Sequence, residues 1–427
     1  MDLAKDIKIG VIGLGYVGLP LAIEFARHYP VVGFDINSSR ASELINGVDS
    51  TKGMSSEELF TAVEDGLIIS SDESVLADVN FFIVTVPTPV DKNNNPDLSP
   101  LRSASELVGR KIKKGGYVVY ESTVYPGATE EICVPIVESV SALSYNKDFF
   151  VGFSPERINP GDKNNTLTTI KKVTAGSTEQ AALFIDALYK QIITAGTHLA
   201  ESIKVAEAAK VIENTQRDVN IAFANEVAKI FDLLDINTQQ VLAAARTKWN
   251  FLDFRPGLVG GHCIGVDPYY LAHKAQELGY SPNVLLQSRL VNESIGTFVA
   301  DKVIKLMCAK GVEVVNSKVL ILGFSFKENC PDLRNTKVID IVHGLSEYHC
   351  QVDIVDPWVD TAEAYQEYGI PVDPSIKQSD YSAIILAVAH DEFKTINAES
   401  LRTFMVNNGV IYDIKGAMKI SEIDDQL

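Results

Sequence analysis

Cys263 lies in the segment 260–268, which reads GGHCIGVDP. Glycines beside a thiol let the carbon atom of another molecule approach the sulfur, and Asp267, four residues later, is positioned to hold a water or a lysine nearby. A buried and inert cysteine is the alternative, because unpaired cysteines are among the most buried residues of proteins. Together with the groups described next, the segment favours a nucleophilic thiol, and hence an enzyme with a covalent intermediate.

A second group of polar residues has helical spacing. Lys210 is followed by Asn214 four residues later and by Arg217 after three more, among alanines and valines. Residues with this spacing share one face of a helix, so the three side chains form a row of donors suited to an anionic, hydroxylated ligand. A solvated helix face is the alternative, but the glycine-flanked thiol in the same chain favours the functional interpretation.

A candidate general base lies further upstream. Glu156 belongs to the segment 153–162, FSPERINPGD, which is rich in turn formers and follows a predicted strand. A carboxylate in such a binding loop can activate a water molecule. An ion pair with the adjacent Arg157 is the alternative use of the same side chain.

The N-terminal third has the pattern of a dinucleotide-binding unit. A predicted buried strand, 7–12, leads into the turn GLGYVG and then into a helical segment. In such a turn the first glycine permits the bend, the second lets a pyrophosphate approach the backbone, and the third lets the helix pack on the strand. The N–H groups at the start of the helix bind the phosphates. The predicted cofactor contacts are Gly13, Gly15, Tyr16, Val17 and Gly18.

A second predicted strand ends in Asp35, about 20 residues past the turn, where a carboxylate binds both ribose hydroxyls. An acid at this position repels a 2′-phosphate, which favours NAD over NADP unless Arg40, five residues on, offsets it. We therefore predict NAD as the cofactor, with Asp35 and Arg40 beside its ribose.

Two further predicted strands, within 81–86 and 117–121, have hydroxyl-bearing residues at or just after their carboxyl ends. Ligands of doubly wound sheets lie beyond the carboxyl ends of the strands, which makes these residues candidate cofactor contacts. A proline-rich turn and simple caps are the alternatives. The candidates are Thr85, Thr88, Ser122 and Thr123.

The remaining two thirds contain a long helix and a second set of strands. The stretch 200–234 has neither glycine nor proline and has helical spacing, so we predict one helix that connects two lobes and packs on its counterpart in a homodimer. In the last third, apolar runs within 317–324, 352–356, 383–388 and 409–413 predict a second parallel sheet. Its first turn lacks the three glycines, so a second NAD is not expected there.

Two cations near that turn, Lys327 and Arg334, are candidates for binding the phosphates of a nucleotide. The predicted fold class is therefore α/β, with two Rossmann-like doubly wound domains joined by a long central helix. The predicted domains are an NAD-binding domain at 1–196, a central helical dimerisation domain with the cysteine loop at 197–300, and a nucleotide-binding domain at 301–427.

The composition restricts the class of partner. The formal net charge of −18 over 427 residues argues against a nucleic-acid binder, which needs a surplus of lysine and arginine. The five cysteines are odd in number and far apart, so they predict no zinc site and a reducing cytoplasm. The N-terminal residues do not have the pattern of a signal peptide, and no run of about 18 apolar residues predicts membrane insertion.

Six motifs, in this order along nearly the whole chain, resemble those of the nucleotide-sugar 6-dehydrogenases, the UDP-glucose/GDP-mannose dehydrogenase family. They are the glycine turn, Glu121-Ser122-Thr123, Ser154-Pro155-Glu156, the pair Lys210 and Asn214, the cysteine segment, and Phe326-Lys327 with Arg334. The segments 157–162, 217–222 and 254–271, which include His262, are similar to the UDP-N-acetylhexosamine branch, whose members make capsule, Vi-type or O-antigen sugars.

The resemblance implies a two-step oxidation of the C6 alcohol of a sugar to a carboxylate, with two NAD and one water consumed. A water held by Asp267 and Lys210 is the implied base of the first step. Cys263 then forms a thiohemiacetal, whose oxyanion Lys210 and Asn214 stabilise, and a thioester follows. Glu156 is implied to activate the hydrolytic water, a task that Thr123 and Asp267 are able to share.

The family also sends an arginine from a neighbouring subunit into the sugar site, for which Arg246 and Arg255 both match and Arg255 is favoured. UDP-N-acetylglucosamine is the predicted substrate, with UDP-N-acetylgalactosamine or UDP-glucose as alternatives. Two other classes stay open, a catalytically silent nucleotide-sugar binding protein and a 3-hydroxyacid type dehydrogenase. The implied substrate contacts are Glu156, Arg157, Lys210, Asn214, Arg217, Arg255, Gly260 and Lys327.

Overall fold

The computed structural model describes residues 7–91, 93–158, 165–261 and 264–427. These residues divide into two compact units. The first runs to Glu213 and includes Tyr269–Tyr280, and the second comprises Asn214–Pro268 and Ser281–Leu427. The division into three domains stays a prediction.

The first unit is built on one sheet of eight strands among its described residues, in the order β3-β2-β1-β4-β5-β6-β7-β8. All neighbouring pairs are parallel except β6 and β7, which are antiparallel. The strands are β1 (Ile9–Ile12), β2 (Val31–Phe34), β3 (Leu67–Ser70), β4 (Phe81–Val84), β5 (Gly116–Tyr120), β6 (Phe149–Phe153), β7 (Lys172–Gly176) and β8 (Thr197–Leu199).

The strands at the centre of this sheet are uniformly apolar because helices cover both faces. Every residue of β1 and of β4 is buried, which is typical of a parallel sheet covered on both sides. Strand β1 pairs with β2 on one side and with β4 on the other, so the strand order reverses at β1. The carboxyl end of β1 is therefore the place where a doubly wound sheet binds its ligand.

Most strands of the first unit are followed by one or two helices. These helices are α1 (Gly18–Ala26), α2 (Ser38–Ile45), α3 (Ser56–Glu64), α4 (Ser99–Lys111), α5 (Val134–Ser141) and α6 (Glu179–Tyr189). A single π-helical turn, Thr129–Cys133, precedes α5, and a 3₁₀ turn spans Glu73–Leu76.

The long helix of the sequence prediction is present as α7 (Ile203–Leu233), 31 residues in length. At 1.5 Å per residue such a helix is about 46 Å long. The chain passes from the first unit to the second inside α7, after Glu213. The prediction of one continuous helix is therefore confirmed, with its start three residues later than Ala200.

The second unit contains a five-stranded parallel sheet in the order β10-β9-β11-β12-β13. The strands are β9 (Lys318–Leu322), β10 (Gln351–Val355), β11 (Tyr381–Leu386), β12 (Met405–Asp413) and β13 (Asp425–Gln426). The helices are α8 (Thr238–Ala245), α9 (Asp267–Glu277), which continues into the first unit, α10 (Asn283–Glu293), α11 (Ile295–Ala309), α12 (Val338–Glu347), α13 (Thr361–Tyr368), α14 (Asp391–Lys394) and α15 (Ala398–Arg402), with a 3₁₀ turn at Ile420–Glu422.

The second sheet confirms the predicted repeat of the first architecture. Its strand order also reverses, at β9, which lies between β10 and β11. Both faces are packed, since Val319, Leu320, Ile321 and Leu322 of β9 are all fully buried. No helix among the described residues is long and apolar enough to cross a membrane.

Candidate active site

The glycine turn after β1 is held by the end of β2 and by β4. Leu14 donates its N–H to Asp35 Oδ2 at 2.8 Å, and Thr85 Oγ1 donates to the carbonyl oxygen of Gly13 at 2.7 Å. Gly13 has a φ of +93°, a conformation that side chains rarely adopt, and a Cβ on Gly18 would overlap the carbonyl oxygen of Gly13. The protein's own backbone therefore requires the first and third glycines.

The second glycine of the turn is different, because a Cβ on Gly15 would meet nothing within 4 Å. Gly15 is exposed, and α1 begins at Gly18 without a side chain that caps its N–H groups. Both carboxylate oxygens of Asp35 accept a backbone N–H, from Leu14 and Asn37, yet the side chain is partly exposed and keeps lone pairs for a ribose. Open backbone, a helix start without a side-chain cap and an accessible acid fit a dinucleotide.

Arg40 does not offer a free cation for a 2′-phosphate. Its guanidinium donates to the carbonyl oxygen of Leu14 at 2.9 Å and pairs with Asp49 at 2.8 Å and with Glu43. Two carboxylates therefore neutralise the one charge that would favour NADP. This arrangement favours NAD.

Replacing Asp35 with alanine is expected to lower the preference for NAD over NADP by about tenfold or more, because a charged hydrogen-bond acceptor for the ribose is lost together with its repulsion of phosphate. The ratio of kcat/KM for the two cofactors measures the change. Asp78→Ala, which removes an exposed acid of the same unit, is the control and should leave the ratio unchanged. A wild-type protein that prefers NADP would contradict the role assigned to Asp35.

The other predicted cofactor contacts lie at the same edge of the sheet. Thr85 Oγ1 donates to the carbonyl oxygens of Ile12, the last residue of β1, and of Gly13, and Ser122 Oγ donates to the carbonyl oxygen of Val86 at 2.6 Å. Thr88 is buried and Thr123 is partly exposed. The hydroxyls of Thr85 and Ser122 thus hold the rim of the site, and direct contact of these residues with the cofactor stays a prediction.

Beyond β5 and β6 the first unit contains a buried cluster of charged groups that the sequence analysis did not identify. Lys172 Nζ lies 2.7 Å from Glu121 Oε2 and 2.6 Å from Glu156 Oε2, and Tyr189 donates its hydroxyl to Glu121. All four side chains are buried. Sequence analysis missed Lys172 because nothing in its local sequence indicates a functional role. Only its position in the fold, opposite the ends of two strands, identifies it.

Glu156 is also connected to the backbone and to the predicted lysine. Its Oε1 accepts the N–H of Ile158 at 2.9 Å and the N–H of Arg157, and Lys210 Nζ donates to the carbonyl oxygen of Glu156 at 2.5 Å. The side chain of Arg157 pairs instead with Glu213 and donates to the carbonyl oxygen of Lys210 at 3.1 Å. Each of these two side chains therefore has another ionic partner, and the role of Glu156 as a general base stays a prediction.

In the second unit, α7 and the start of α9 bring together three of the predicted residues. Asn214 donates its amide Nδ2 to Asp267 and accepts a hydrogen bond from Arg217 at 2.8 Å through its Oδ1. Asn214 and Asp267 are almost fully buried. Asn214 is thus oriented at both ends of its amide, and its partner Asp267 stands four residues after Cys263.

Cys263 and His262 lie outside the described residues, so their predicted roles rest on the sequence. The glycines before them are described, and both are required by packing. A Cβ on Gly261 would lie 2.7 Å from the ring of Phe326, and one on Gly260 would lie 2.6 Å from the carbonyl oxygen of Asn335. Gly261 also has a φ of +82°. The segment before the cysteine therefore packs closely on the loop that follows β9.

The same segment is anchored further upstream by Asn225 of α7. The Asn225 amide accepts the N–H of Gly257 at 2.8 Å and donates to the carbonyl oxygen of Gly257 at 3.1 Å, and it also donates to Asn292 Oδ1 at 2.8 Å. These hydrogen bonds fix the backbone at Gly257, in a segment without regular secondary structure that precedes the cysteine in the sequence.

The cations predicted to bind phosphates or sugar lie on loops of the second unit. Lys327 Nζ is 5.6 Å from the centroid of the Phe326 ring, and Arg334 pairs with Asp332 while its side chain is 42% exposed. Arg255 is 3.6 Å from Asp253, which Arg246 also approaches at 3.3 Å. The contribution of either arginine to a neighbouring subunit stays a prediction.

The turn after β9 resembles the glycine turn after β1, but its carboxylate is buried. Gly323 has a φ of +92°, and Phe324 donates its N–H to Asp356 Oδ2 at 2.7 Å, as Leu14 does to Asp35 in the first unit. Asp356 is fully buried, however, and its Oδ2 also forms a hydrogen bond with His390 Nε2 at 3.0 Å. A ribose has no access to this carboxylate, and the absence of a second NAD from this sheet stays a prediction.

The two doubly wound sheets and the open glycine turn with its acid define a dinucleotide-dependent oxidoreductase. Three models of the UDP-glucose/GDP-mannose dehydrogenase family match the chain, namely its NAD binding domain at residues 7–193, its central domain at 204–294 and its UDP binding domain at 320–420. The chain belongs to the UDP-glucose/GDP-mannose dehydrogenase family. The predictions of this family, of an NAD-dependent dehydrogenase and of the fold are confirmed.

Similar proteins span the full length of the chain. A UDP-N-acetyl-D-glucosamine 6-dehydrogenase of Salmonella typhi is 56% identical over 422 residues, which is 99% of each chain. One of Pseudomonas aeruginosa with the same name is 56% identical over 96% of this chain and 97% of its own length. The solved structure of a UDP-D-ManNAc dehydrogenase from Pyrococcus horikoshii, 30% identical, superimposes with a TM-score of 0.89 over 97% of this chain and 96% of that chain.

Proposed function

We propose that the protein oxidises UDP-N-acetylglucosamine at C6 to UDP-N-acetylglucosaminuronate through a thioester on Cys263. The observation that carries this proposal is the 56% identity, over 99% of both chains, to a protein named UDP-N-acetyl-D-glucosamine 6-dehydrogenase. The buried pair of Asn214 and Asp267 supports the covalent route, because Asp267 stands four residues after the cysteine and the pair provides an oriented amide and a carboxylate.

In the first step a water held by Asp267 and Lys210 removes the proton of the C6 hydroxyl. Bound NAD supplies the hydride acceptor in this step and in the second oxidation. The product of the first step is an aldehyde at C6. The residues assigned to the UDP-sugar are Arg157, Arg217, Arg255, Gly260 and Lys327, and Arg334 is assigned to the cofactor.

In the second step the Cys263 sulfur bonds to the aldehyde carbon and makes a thiohemiacetal. Lys210 and Asn214 stabilise its oxyanion by donating hydrogen bonds, and loss of a second hydride leaves a thioester. Water then adds to the thioester carbon with Glu156 as the general base, and the thiol is released with the acid. Thr123 and Asp267 are able to assist this last step.

The test is an assay of the purified protein with UDP-N-acetylglucosamine, UDP-N-acetylgalactosamine and UDP-glucose side by side. We expect two NADH and one uronic acid for each UDP-N-acetylglucosamine consumed, with lower kcat/KM for the other two sugars. One NADH per substrate would indicate a hydroxyacid type dehydrogenase instead. Binding without NADH would indicate a silent binding protein.

We also propose that the protein is a homodimer that packs through α7, in the cytoplasm, and that its product serves surface polysaccharide synthesis. In the second unit Phe223 and Ile230 of α7 and Leu234, which directly follows the last residue of that helix, are spaced by seven and four residues and are 63%, 45% and 59% exposed. Such an apolar stripe on one helix face is costly to leave in water and suits a second copy of the helix. The three predicted domains remain part of this proposal.

Replacing Phe223 with aspartate is expected to convert the dimer to a monomer at micromolar concentration, because a charge would be buried without a partner in the interface. Light scattering coupled to gel filtration measures the mass. Tyr365→Asp changes a residue of α13 that is 64% exposed and serves as the control, with no change in mass expected. A wild-type protein that is monomeric would contradict the assignment.

A further inference from the structure

The buried cluster of Glu121, Glu156, Lys172 and Tyr189 contains more negative than positive charge. Lys172 is 2% exposed, and it faces two carboxylates that are 3% and 5% exposed. With both carboxylates ionised, the cluster would carry one net negative charge in the protein interior, which is unfavourable. One acidic group in the cluster therefore has a reason to hold a proton.

The individual groups indicate where the charges lie. Burial raises the pKa of Glu121, as does the charge of Glu156, although Lys172 and the hydroxyl of Tyr189 oppose the shift. Burial alone would lower the pKa of the Lys172 ammonium, but the two glutamates outweigh it and the pKa is raised. Burial and Glu121 raise the pKa of Tyr189, so its hydroxyl remains a neutral donor. Lys172 is thus a lasting cation that contacts both glutamates.

The cluster is also connected to groups assigned to the reaction. Glu156 is the candidate base for the hydrolytic water. Its Oε2 accepts a hydrogen bond from the Lys172 ammonium, and its backbone carbonyl oxygen accepts one from Lys210 Nζ. One buried cation therefore orients the base, and the lysine assigned to the oxyanion is bonded to the same residue. The charged or titratable side chains packed around Glu156 are Glu121 after β5, Arg157 in its own loop, Lys172 of β7, Tyr189 of α6, and Lys210 and Glu213 of α7.

We propose that Lys172 and Glu121 are positioning residues for the hydrolysis of the thioester, with Lys172 holding Glu156 and Glu121 serving as the second counter-ion that lets Glu156 accept a proton. This inference rests on the proposed function. A proton leaves water for the Glu156 carboxylate as the water oxygen bonds to the thioester carbon. The carbon–sulfur bond breaks, and the Cys263 thiolate takes up the proton, so that water and thioester become acid and thiol.

Glu121 is needed because Glu156 changes its charge during this step. When Glu156 is neutral, the Lys172 ammonium still faces a carboxylate at 2.7 Å and is not left unpaired in the interior. Without Glu121, protonation of Glu156 would leave a buried cation alone, which is strongly unfavourable. Without Lys172, the two glutamates would face each other without a cation, and Glu156 would hold a proton too readily to act as a base.

These two losses predict opposite changes in the pH dependence of hydrolysis. In Lys172→Met the acid limb of the rate profile should move to higher pH by about one unit, and in Glu121→Gln it should move to lower pH by a similar amount. Both variants should hydrolyse the thioester about tenfold more slowly or worse at neutral pH, because the base is misplaced or weakened. A purely structural role would not produce shifts of opposite sign.

The experiment uses the full-length protein with UDP-N-acetylglucosamine and NAD in a rapid-quench instrument. The first turnover should release two NADH per site at the wild-type rate in both variants. Mass spectrometry of the acid-quenched protein should then find the sugar bound to Cys263. Lys172→Arg, which keeps the cation, should restore the wild-type pH profile in part. Lys190→Met, which removes an exposed lysine of the same unit, is the matched control and should behave as wild type.

Several results would overturn the inference. Unchanged pH profiles in Lys172→Met and Glu121→Gln, shifts of the same sign, or an equal loss of both hydride transfers would each do so. If Lys172→Met fails to fold, the downward shift in Glu121→Gln decides alone. Failure of the proposed function has a different signature, because the wild-type protein would then not yield two NADH per substrate, and no covalent sugar would be found on Cys263 in any variant.

Discussion

Replacing Cys263 with serine is expected to lower the rate of uronic acid formation about a thousandfold or more, the largest effect of any change considered for this protein. The hydroxyl of serine is a far weaker nucleophile than a thiolate, and removal of a nucleophile commonly costs several orders of magnitude. The binding of NAD should be unchanged, because the glycine turn and Asp35 are left intact. Steady-state NADH production and product analysis measure the two quantities.

The control for this variant is Cys308→Ser. Cys308 is the exposed free cysteine among the described cysteines, on α11 of the second unit. Loss of its thiol should not alter turnover, which separates the chemistry of Cys263 from general thiol damage. Formation of the uronic acid by Cys263→Ser at the wild-type rate would contradict covalent catalysis and would leave Cys263 as a packing residue.

The cofactor site was predictable from the sequence because its parts are local. The turn, the first residues of α1 and Asp35 are separated by about twenty residues, and each has a backbone requirement that restricts the residue type. Gly13 needs its positive φ, Gly18 needs the absence of a Cβ, and Gly15 leaves open space. Local sequence therefore contains nearly all the information that this part of the site needs.

The strands of the first sheet were predicted less completely than the cofactor site. The apolar runs identified β1, β4 and β5, but β3, β7 and β8 were not among the predicted strands. Strand β7 runs antiparallel to β6, so it does not follow the regular alternation of strand and helix. Its first residue is Lys172, an uncommon beginning for a buried strand, and only the packing of the sheet explains it.

The buried cluster could not be predicted for the same physical reason. Lys172 is separated from Glu121 by 51 positions and from Glu156 by 16, and the intervening segments contain no periodic signal that relates them. Its partners meet because parallel strands place their carboxyl ends at one edge of the sheet. Local propensity predicts elements, whereas contacts between distant strand ends depend on sheet order.

The ionic partners of Glu156 were not predictable for a related reason. Sequence proximity suggested an ion pair with Arg157, but consecutive residues in an extended loop point in different directions. Arg157 reaches α7, where it pairs with Glu213, and Glu156 turns inward to Lys172. The base assigned to hydrolysis is therefore a buried and oriented group, which is a better arrangement for catalysis than an exposed loop pair.

Replacing Lys210 with alanine is expected to lower kcat by about a hundredfold to a thousandfold, because the ammonium is assigned both to the base of the first step and to the oxyanion of the second. The substitution should lower mainly kcat, and the affinity for NAD should be retained. Because Lys210 Nζ also bonds to the carbonyl oxygen of Glu156, part of the loss has a positional origin. Lys210→Arg keeps the charge and the donor, and should recover activity in part.

Lys204→Ala provides the matched control for the Lys210 variant. Lys204 lies on the same helix, and its side chain is 55% exposed and paired with Glu131. Turnover by Lys204→Ala should equal that of the wild type. If added methylamine partly restores turnover to Lys210→Ala but not to Cys263→Ser, the missing ammonium is responsible for the loss. A Lys210→Ala protein within a few-fold of the wild type would remove this residue from the mechanism, and the oxyanion would then depend on Asn214, whose amide Asp267 and Arg217 orient.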